Sequence, residues 1–301
     1  MHLPHQFGGR WTEEKLGCLT EYLQQYMNIF RANERASRLK TIYVDAFAGT
    51  GYRNLPKPGE CQLLLFSDND AQLFQKGSAW IALETEPSFD EYVFVDMDEE
   101  HVRELENLRG QFPNKRHKVN IVQGEANAFL RKWCNQHDWR FTRAVVFLDP
   151  YGMGVEWATL EAIAQTKAID LWLLFPLGQA VNRLLTRNSP PDEAMAARLT
   201  TIFGTDEWKE AFYRKVRQMT LFGPEETIVK DADFKNIGDF FVNRLSEVFA
   251  RVAENPLPLR NSKNIPIYLL CFAAANPKGA PTAVKIAQHL LGRTRWPHKR
   301  K

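Results

Sequence analysis

The residues best suited to chemistry stand at the end of an apolar run, Ala144-Val-Val-Phe-Leu-Asp149, which continues into Pro150-Tyr151-Gly152. The carboxylate of Asp149 and the main-chain carbonyl beside Pro150 can accept hydrogen bonds from an exocyclic amine. Tyr151 can stack on the ring that carries the amine. Holding and polarising a nitrogen lone pair in this way suits methyl transfer to nitrogen. The same residues also read as a helix cap followed by a plain turn.

A second constellation lies earlier. Ile42 to Ala46 is a continuous β-branched and aromatic run, and it ends in Phe47-Ala48-Gly49-Thr50-Gly51. Small residues at the carboxyl end of a buried strand let the backbone turn sharply, and without a Cβ a ligand can lie against the main chain. A Gly-X-Gly turn is also common as an ordinary tight loop. What adds weight is Tyr92-Val-Phe-Val-Asp96-Met97-Asp98, a second buried run ending in acids. A carboxylate at the end of the next strand can accept from both hydroxyls of a ribose. Strand, glycine turn, strand and acid in this order favour a nucleoside-containing cofactor. A nicotinamide enzyme is disfavoured, because no three-glycine fingerprint runs straight into a helix.

These residues need a scaffold that delivers strand ends to one edge. Apolar runs at Asn120 to Ala126, Ala144 to Asp149 and Ile169 to Pro176 follow the first two, with helical periodicity between them. Regular alternation predicts a doubly wound, mostly parallel Rossmann-like α/β sheet of about seven strands. Pro256 to Arg260 and Ile265 to Ala274, separated by Asn261-Ser-Lys-Asn264, predict an antiparallel edge hairpin. Residues 1–40 form an N-terminal helical motif, with Thr12 as cap and Leu16, Leu19, Leu23, Tyr26 and Met27 on one face. The core spans 41–185 and carries an insertion at 52–76, expected to act as a lid. Residues 186–235 read as a helical insert, 236–292 as the rest of the core, with a helix from Phe240 to Val252, and 293–301 as a basic tail.

Bulk properties narrow the function classes. The 301 residues carry a net charge of +3, too little on its own to imply nucleic-acid binding. Arg214, Lys215 and Arg217 beside aromatics, and the tail from Arg293, are local basic exceptions that can contact phosphates. No apolar run reaches a membrane span and the start lacks a signal-peptide core, so the expected location is cytoplasmic with no membrane partner. Cys18, Cys61, Cys134 and Cys271 have no paired spacing, so no metal site or disulfide framework is expected.

The Trp11-Thr-Glu-Glu-Lys15-Leu helix, Val44-Asp-Ala-Phe-Ala-Gly-Thr-Gly51, Phe147-Leu-Asp-Pro-Tyr-Gly152 and Asp170-Leu-Trp-Leu-Leu-Phe-Pro176 together resemble the three-Cys-motif partner protein family. The similarity spreads over the first three-fifths of the chain, and Ala275-Asn-Pro277 is similar as well. That family is itself similar to class I S-adenosylmethionine-dependent methyltransferases and distantly to adenine-N6 enzymes with an Asp-Pro-Pro-Tyr motif. The resemblance implies S-adenosyl-L-methionine as cofactor, held by Asp45, Phe47, Gly49, Gly51 and the ribose acid Asp96, with Asp98 as a helix cap. It places Glu125 and Ala126 at the adenine, and Trp11 and Lys15 at the methionine end. Asp149, Pro150 and Tyr151 take the catalytic positions, with one proline where the motif has two. The implied activity is methylation of an amine nitrogen, with a nucleic acid base as the expected acceptor. The alternative is a catalytically weak or inactive subunit for a three-cysteine, radical S-adenosylmethionine-like partner protein or for nucleic acid.

Overall fold

The computed structural model describes residues 10–49, 77–150, 152–187, 189–220 and 223–293. The first half alternates helix and strand: α1 (Arg10–Ala32), β1 (Lys40–Asp45), α2 (Ser78–Glu84), β2 (Glu91–Asp96), α3 (Glu99–Gln111) and β3 (Val119–Gln123). It continues through α4 (Ala126–Gln136), β4 (Thr142–Leu148), α5 (Trp157–Gln165) and β5 (Ile169–Phe175). A π-helical turn (Leu177–Val181) then leads into α6 (Asn182–Leu184), α7 (Glu193–Phe203) and α8 (Trp208–Phe212). A two-stranded ribbon, β6 (Tyr213–Thr220) and β7 (Gly223–Lys230), precedes α9 (Phe234–Val248), β8 (Arg251–Val252), β9 (Leu257–Arg260), β10 (Pro266–Ala274) and α10 (Ala280–Gly292).

Eight strands form one sheet in the order β3-β2-β1-β4-β5-β10-β8, with β9 also paired to β10. The five strands from β3 to β5 are parallel, and β10 runs antiparallel to β5. This is the doubly wound order expected of a Rossmann-like sheet, in which the chain reverses direction beside β1. The reversal leaves a crevice at the carboxyl ends of β1 and β4. The expected hairpin is present, turning at Asn261 to Asn264 with Asn264 at a φ of +58°. Its second strand lies inside the sheet, and β8 and β9 form the outer edge.

Alternation along each strand divides the core. Ile42 and Val44 pack with α4, α5, α7 and α9 on one face, while Tyr43 packs with α1, α2 and α10 on the other. Two expectations shift. Helix α1 begins at Arg10, so the buried Thr12 lies inside it and is not its cap. Helix α9 starts at Phe234, because Asp233 and Asn236 close a reciprocal capping box, and stops at Val248, where Phe249 turns extended ahead of β8. The insert is helical through α7 and α8 but then forms the β6–β7 ribbon, which carries Arg214, Lys215 and Arg217 on a strand.

Helix α1 is fixed to the sheet by more than apolar contact. The Tyr22 hydroxyl donates to Asp170 Oδ2 at 2.7 Å, beside the edge-on and tilted rings of Tyr22, Trp172 and Phe272. Burial pushes the Asp170 carboxyl from 3.8 up to about 7, against the opposing effects of the Tyr22 hydrogen bond and the Arg143 charge. Tyr22→Phe removes the donor from a buried carboxyl, a loss of roughly 1–3 kcal/mol. Urea melts should show the larger loss at pH 8, where Asp170 is ionised, and the smaller at pH 5. Equal losses at both pH values would count against an ionised Asp170 as the hydrogen-bond acceptor.

Candidate active site

Lysine at position 15 faces inward from α1 because its neighbours Leu16 and Leu19 pack that side of the helix onto the sheet. Its side chain is 1% exposed, and its ammonium makes a short ion pair with Asp149 Oδ2, just beyond β4. The ammonium also stands 5.3 Å from the Trp11 ring centre and 6.0 Å from that of Phe147. Trp11 in turn lies against Tyr268 of β10 at 5.6 Å. The Asp149 side chain retains 28% exposure, so one carboxylate oxygen is anchored from beneath while the group still meets solvent.

On the neighbouring strand Asp45 is fully buried. Its Oδ2 accepts from Ser78 Oγ at 2.5 Å, the first residue of α2. Its Oδ1 has no hydrogen-bond partner among the described residues, and neither has the buried Tyr43 hydroxyl two residues back. Burial raises the Asp45 carboxyl from 3.8 to about 7; the Ser78 hydroxyl opposes this, the nearby Asp149 charge adds to it, and Phe47 N–H and Lys15 oppose it.

Beyond β1 the chain turns through Gly49, at a φ of +58°. A Cβ built there would meet no atom of the described residues within 4 Å, so among them the turn borders clear space. The Gly49 N–H donates to Asp96 Oδ2 at 2.9 Å, which ties the glycine turn to the end of β2. Asp96 Oδ1 accepts from Asp98 N at 2.9 Å and faces His101 Nδ1 at 3.1 Å. Asp98 caps α3 by accepting from Glu100 N at 2.7 Å. Beside Asp96, Met97 is 72% exposed.

Glu125 serves as the cap of α4. Its carboxylate accepts from Asn127 N and Ala128 N, at 2.8 and 2.7 Å. Burial alone would raise its pKa, but these bonds outweigh burial and hold it below the ordinary value. Ala126 is buried at the start of the same helix. The buried Asn127 donates to Glu125 Oε1 at 2.8 Å and Gly154 O at 2.7 Å, and accepts from Glu156 N at 3.0 Å and Thr159 Oγ1 at 2.9 Å. Gly154 lies so near Pro150 and the Phe47 ring that a Cβ would come within 3.1 and 3.3 Å of them. Asn127 therefore links the Glu125 end of the cleft to the loop that follows Asp149.

The site residues expected from sequence thus gather at the carboxyl edge of β1, β2, β3 and β4. Lys15, Asp45 and Asp149 share one charged cluster, and Gly49 with Asp96 forms a second. Gly51, Tyr151, the whole 52–76 insertion with Cys61, and the tail beyond Arg293 fall outside the described residues. The other three cysteines are buried. Ser78, His101 and Asn127 had drawn no attention in the sequence. Of these only Asn127 left a signal, a polar residue in the first turn of a helix directly after a strand-end acid. Gln179, in the π-helical turn after β5, likewise has a buried side-chain oxygen with no partner among the described residues.

No family model matches the chain, and no curated protein matches it. Among solved structures it is similar to a Legionella pneumophila protein of the DUF519 family, at 14% identity over 95% of this chain and 92% of that one, TM-score 0.46. It is similar to a spermidine synthase in complex with the transition-state analogue AdoDATO, at 8% identity over 89% of this chain and 61% of that one, TM-score 0.39. A putative methyltransferase of Escherichia coli, yhhF, gives 12% identity over 71% and 87%, TM-score 0.30.

Asp45 makes the fold sensitive to pH. Between 3.8 and about 7 the unfolded chain has released this proton while the folded chain still holds it, so stability from this group falls as pH rises. Asp45→Asn keeps the size and an acceptor for Ser78 but carries no charge. It should raise stability at pH 8 by roughly 2–4 kcal/mol relative to the parent and change little at pH 4. Thermal melts at both pH values check this, and a variant equally or less stable at pH 8 would refute it.

Proposed function

We propose that the chain is an S-adenosylmethionine-dependent methyltransferase that acts on an amine nitrogen, with a nucleic acid base as acceptor. The observation that carries this reading is Asp149, a half-open carboxylate held by a buried ammonium at the strand edge that also bears the glycine turn. Its Lys15-bound oxygen is fixed, which leaves the other to accept an N–H from the acceptor. That orients the nitrogen lone pair away from Asp149, and the same carboxylate can take up the proton the nitrogen must lose. The cofactor, when bound, supplies an electrophilic methyl group on a sulfonium.

The residues present fit that cofactor. Gly49 offers main chain bordered by clear space, and Asp96 offers a carboxylate suited to ribose hydroxyls. Met97 offers an exposed apolar surface to an adenine ring. The Asp45 Oδ1, without a hydrogen-bond partner among the described residues, suits an ammonium such as that of the methionine end. Glu125, Ala126, Phe47 and Trp11 complete the cofactor set, Pro150 and Tyr151 the acceptor set. A basic β6 strand, with Arg214, Lys215 and Arg217 all exposed, supports a polyanionic acceptor.

A second reading is a catalytically weak partner subunit of the three-Cys-motif partner kind, serving a three-cysteine protein or nucleic acid. Two observations favour it: the single proline after Asp149, and the full use of the Glu125 carboxylate in capping α4.

Calorimetry with S-adenosylhomocysteine should show binding to the parent. Gly49→Val should abolish it, since a branched side chain fills the clear space and strains a positive φ. A folded variant that binds like the parent would place the site elsewhere. Asp149→Asn should leave cofactor affinity within a few-fold, because Lys15 keeps an amide oxygen to donate to. Turnover on an amine acceptor should fall on the order of a hundred- to a thousand-fold, since an amide donates where the carboxylate must accept. Retained turnover, measured with radiolabelled methyl donor, would remove Asp149 from the chemistry and put the partner-subunit reading ahead.

A further inference from the structure

Asp96 is already engaged before any ligand is considered. Its Oδ1 accepts from Asp98 N at 2.9 Å and faces His101 Nδ1 at 3.1 Å, and its Oδ2 accepts from Gly49 N at 2.9 Å. An ionised carboxylate has about four acceptor positions. With Nδ1 of His101 donating, both positions on Oδ1 are filled, and among the described residues' contacts one position remains, on Oδ2 beside the glycine turn. Asp96 itself is 14% exposed at the side chain and His101 33%, so the pair sits at the lip of the cleft, neither sealed in the core nor free in water. His101 projects from the first turn of α3, which Asp98 caps, so its ring is carried on a fixed helix end.

We infer that His101 is a positioning residue for the cofactor's ribose. It saturates Asp96 Oδ1 and so commits the carboxylate to offer a single acceptor position, on Oδ2, to one ribose hydroxyl. This differs from a grip on both hydroxyls, which a strand-end acid suggests when its other contacts are ignored. The backbone donors cannot make this choice alone. Without His101, the carboxylate pivots on two N–H groups, one on each oxygen, and either oxygen can face the ligand. The inference rests on the cofactor reading proposed above.

The test compares S-adenosylhomocysteine with its 2′,3′-dideoxy analogue by calorimetry against the parent, His101→Phe and His101→Asn. Phenylalanine keeps a flat ring but has no donor, whereas asparagine places an amide N–H near the Nδ1 position. His101→Phe should weaken S-adenosylhomocysteine binding about tenfold, the worth of one hydrogen bond to a charged group. Binding of the dideoxy analogue should change less than about twofold, and His101→Asn should restore most of the loss. Equal losses for both ligands would show a merely structural effect and overturn the inference, as would His101→Phe binding S-adenosylhomocysteine like the parent. A parent that binds neither ligand overturns the cofactor reading and the role of His101 with it.

Discussion

An ammonium with 1% exposure stays charged inside a protein only if something opposite is held against it, and here that group is Asp149. The Lys15–Asp149 ion pair sets demands on the rest of the chain. Helix α1 must cross the sheet at a fixed height, and β4 must end where the carboxylate reaches the ammonium. The Tyr22–Asp170 hydrogen bond, the rings of Trp172 and Phe272, and the Arg293–Glu21 pair linking α10 to α1 all serve the first demand. The parallel register of β1 with β4, which sets Asp45 opposite Phe147, serves the second. Removing Asp149 would take this counter-charge from a buried ammonium, a change that typically costs about 3–5 kcal/mol. The same contact therefore ties α1 to the sheet and fixes one oxygen of Asp149.

Two halves of the cleft follow from this. The half nearest α1 is charged and enclosed, with Asp149 and Lys15 close enough to shift Asp45 and with the Tyr43 hydroxyl and Asp45 Oδ1 lacking a hydrogen-bond partner among the described residues. The other half is open and built largely from backbone donors, the N–H groups of Gly49 and Asp98 converging on Asp96. A ligand with a charged end and a hydroxylated sugar matches both halves at once. Asn127 couples them to the acceptor loop through Glu125 and Gly154, with every hydrogen-bonding position of its amide in use.

Much of this was legible in the chain. The runs at Ile42 to Val44, Tyr92 to Val95 and Ala144 to Leu148 are continuously apolar because both faces of a parallel sheet are covered, and that pattern has few other readings. Strand-end acids were legible for the same reason, as polar residues that interrupt such runs at the edge. The Lys15–Asp149 contact was not, because it joins positions 134 residues apart and periodicity reports only near neighbours. A lysine on an amphipathic helix reads as solvated until the partner strand is in place. The β6–β7 ribbon escaped because its basic residues and aromatics mimic the composition of a helical insert, and Asn236 moved the start of α9 through a side-chain cap that apolar spacing does not record.

The central claim is that the carboxyl ends of β1 and β2 hold a sulfonium cofactor whose reactive end faces Asp149. A crystal structure of the chain with S-adenosylhomocysteine tests it most directly. The ribose should lie within hydrogen-bond distance of Asp96, the main chain at Gly49 should border the ligand, and the sulfur should lie on the Asp149 side. Ligand density at another face of the sheet, or a folded chain that takes up none at saturating concentration, would contradict it.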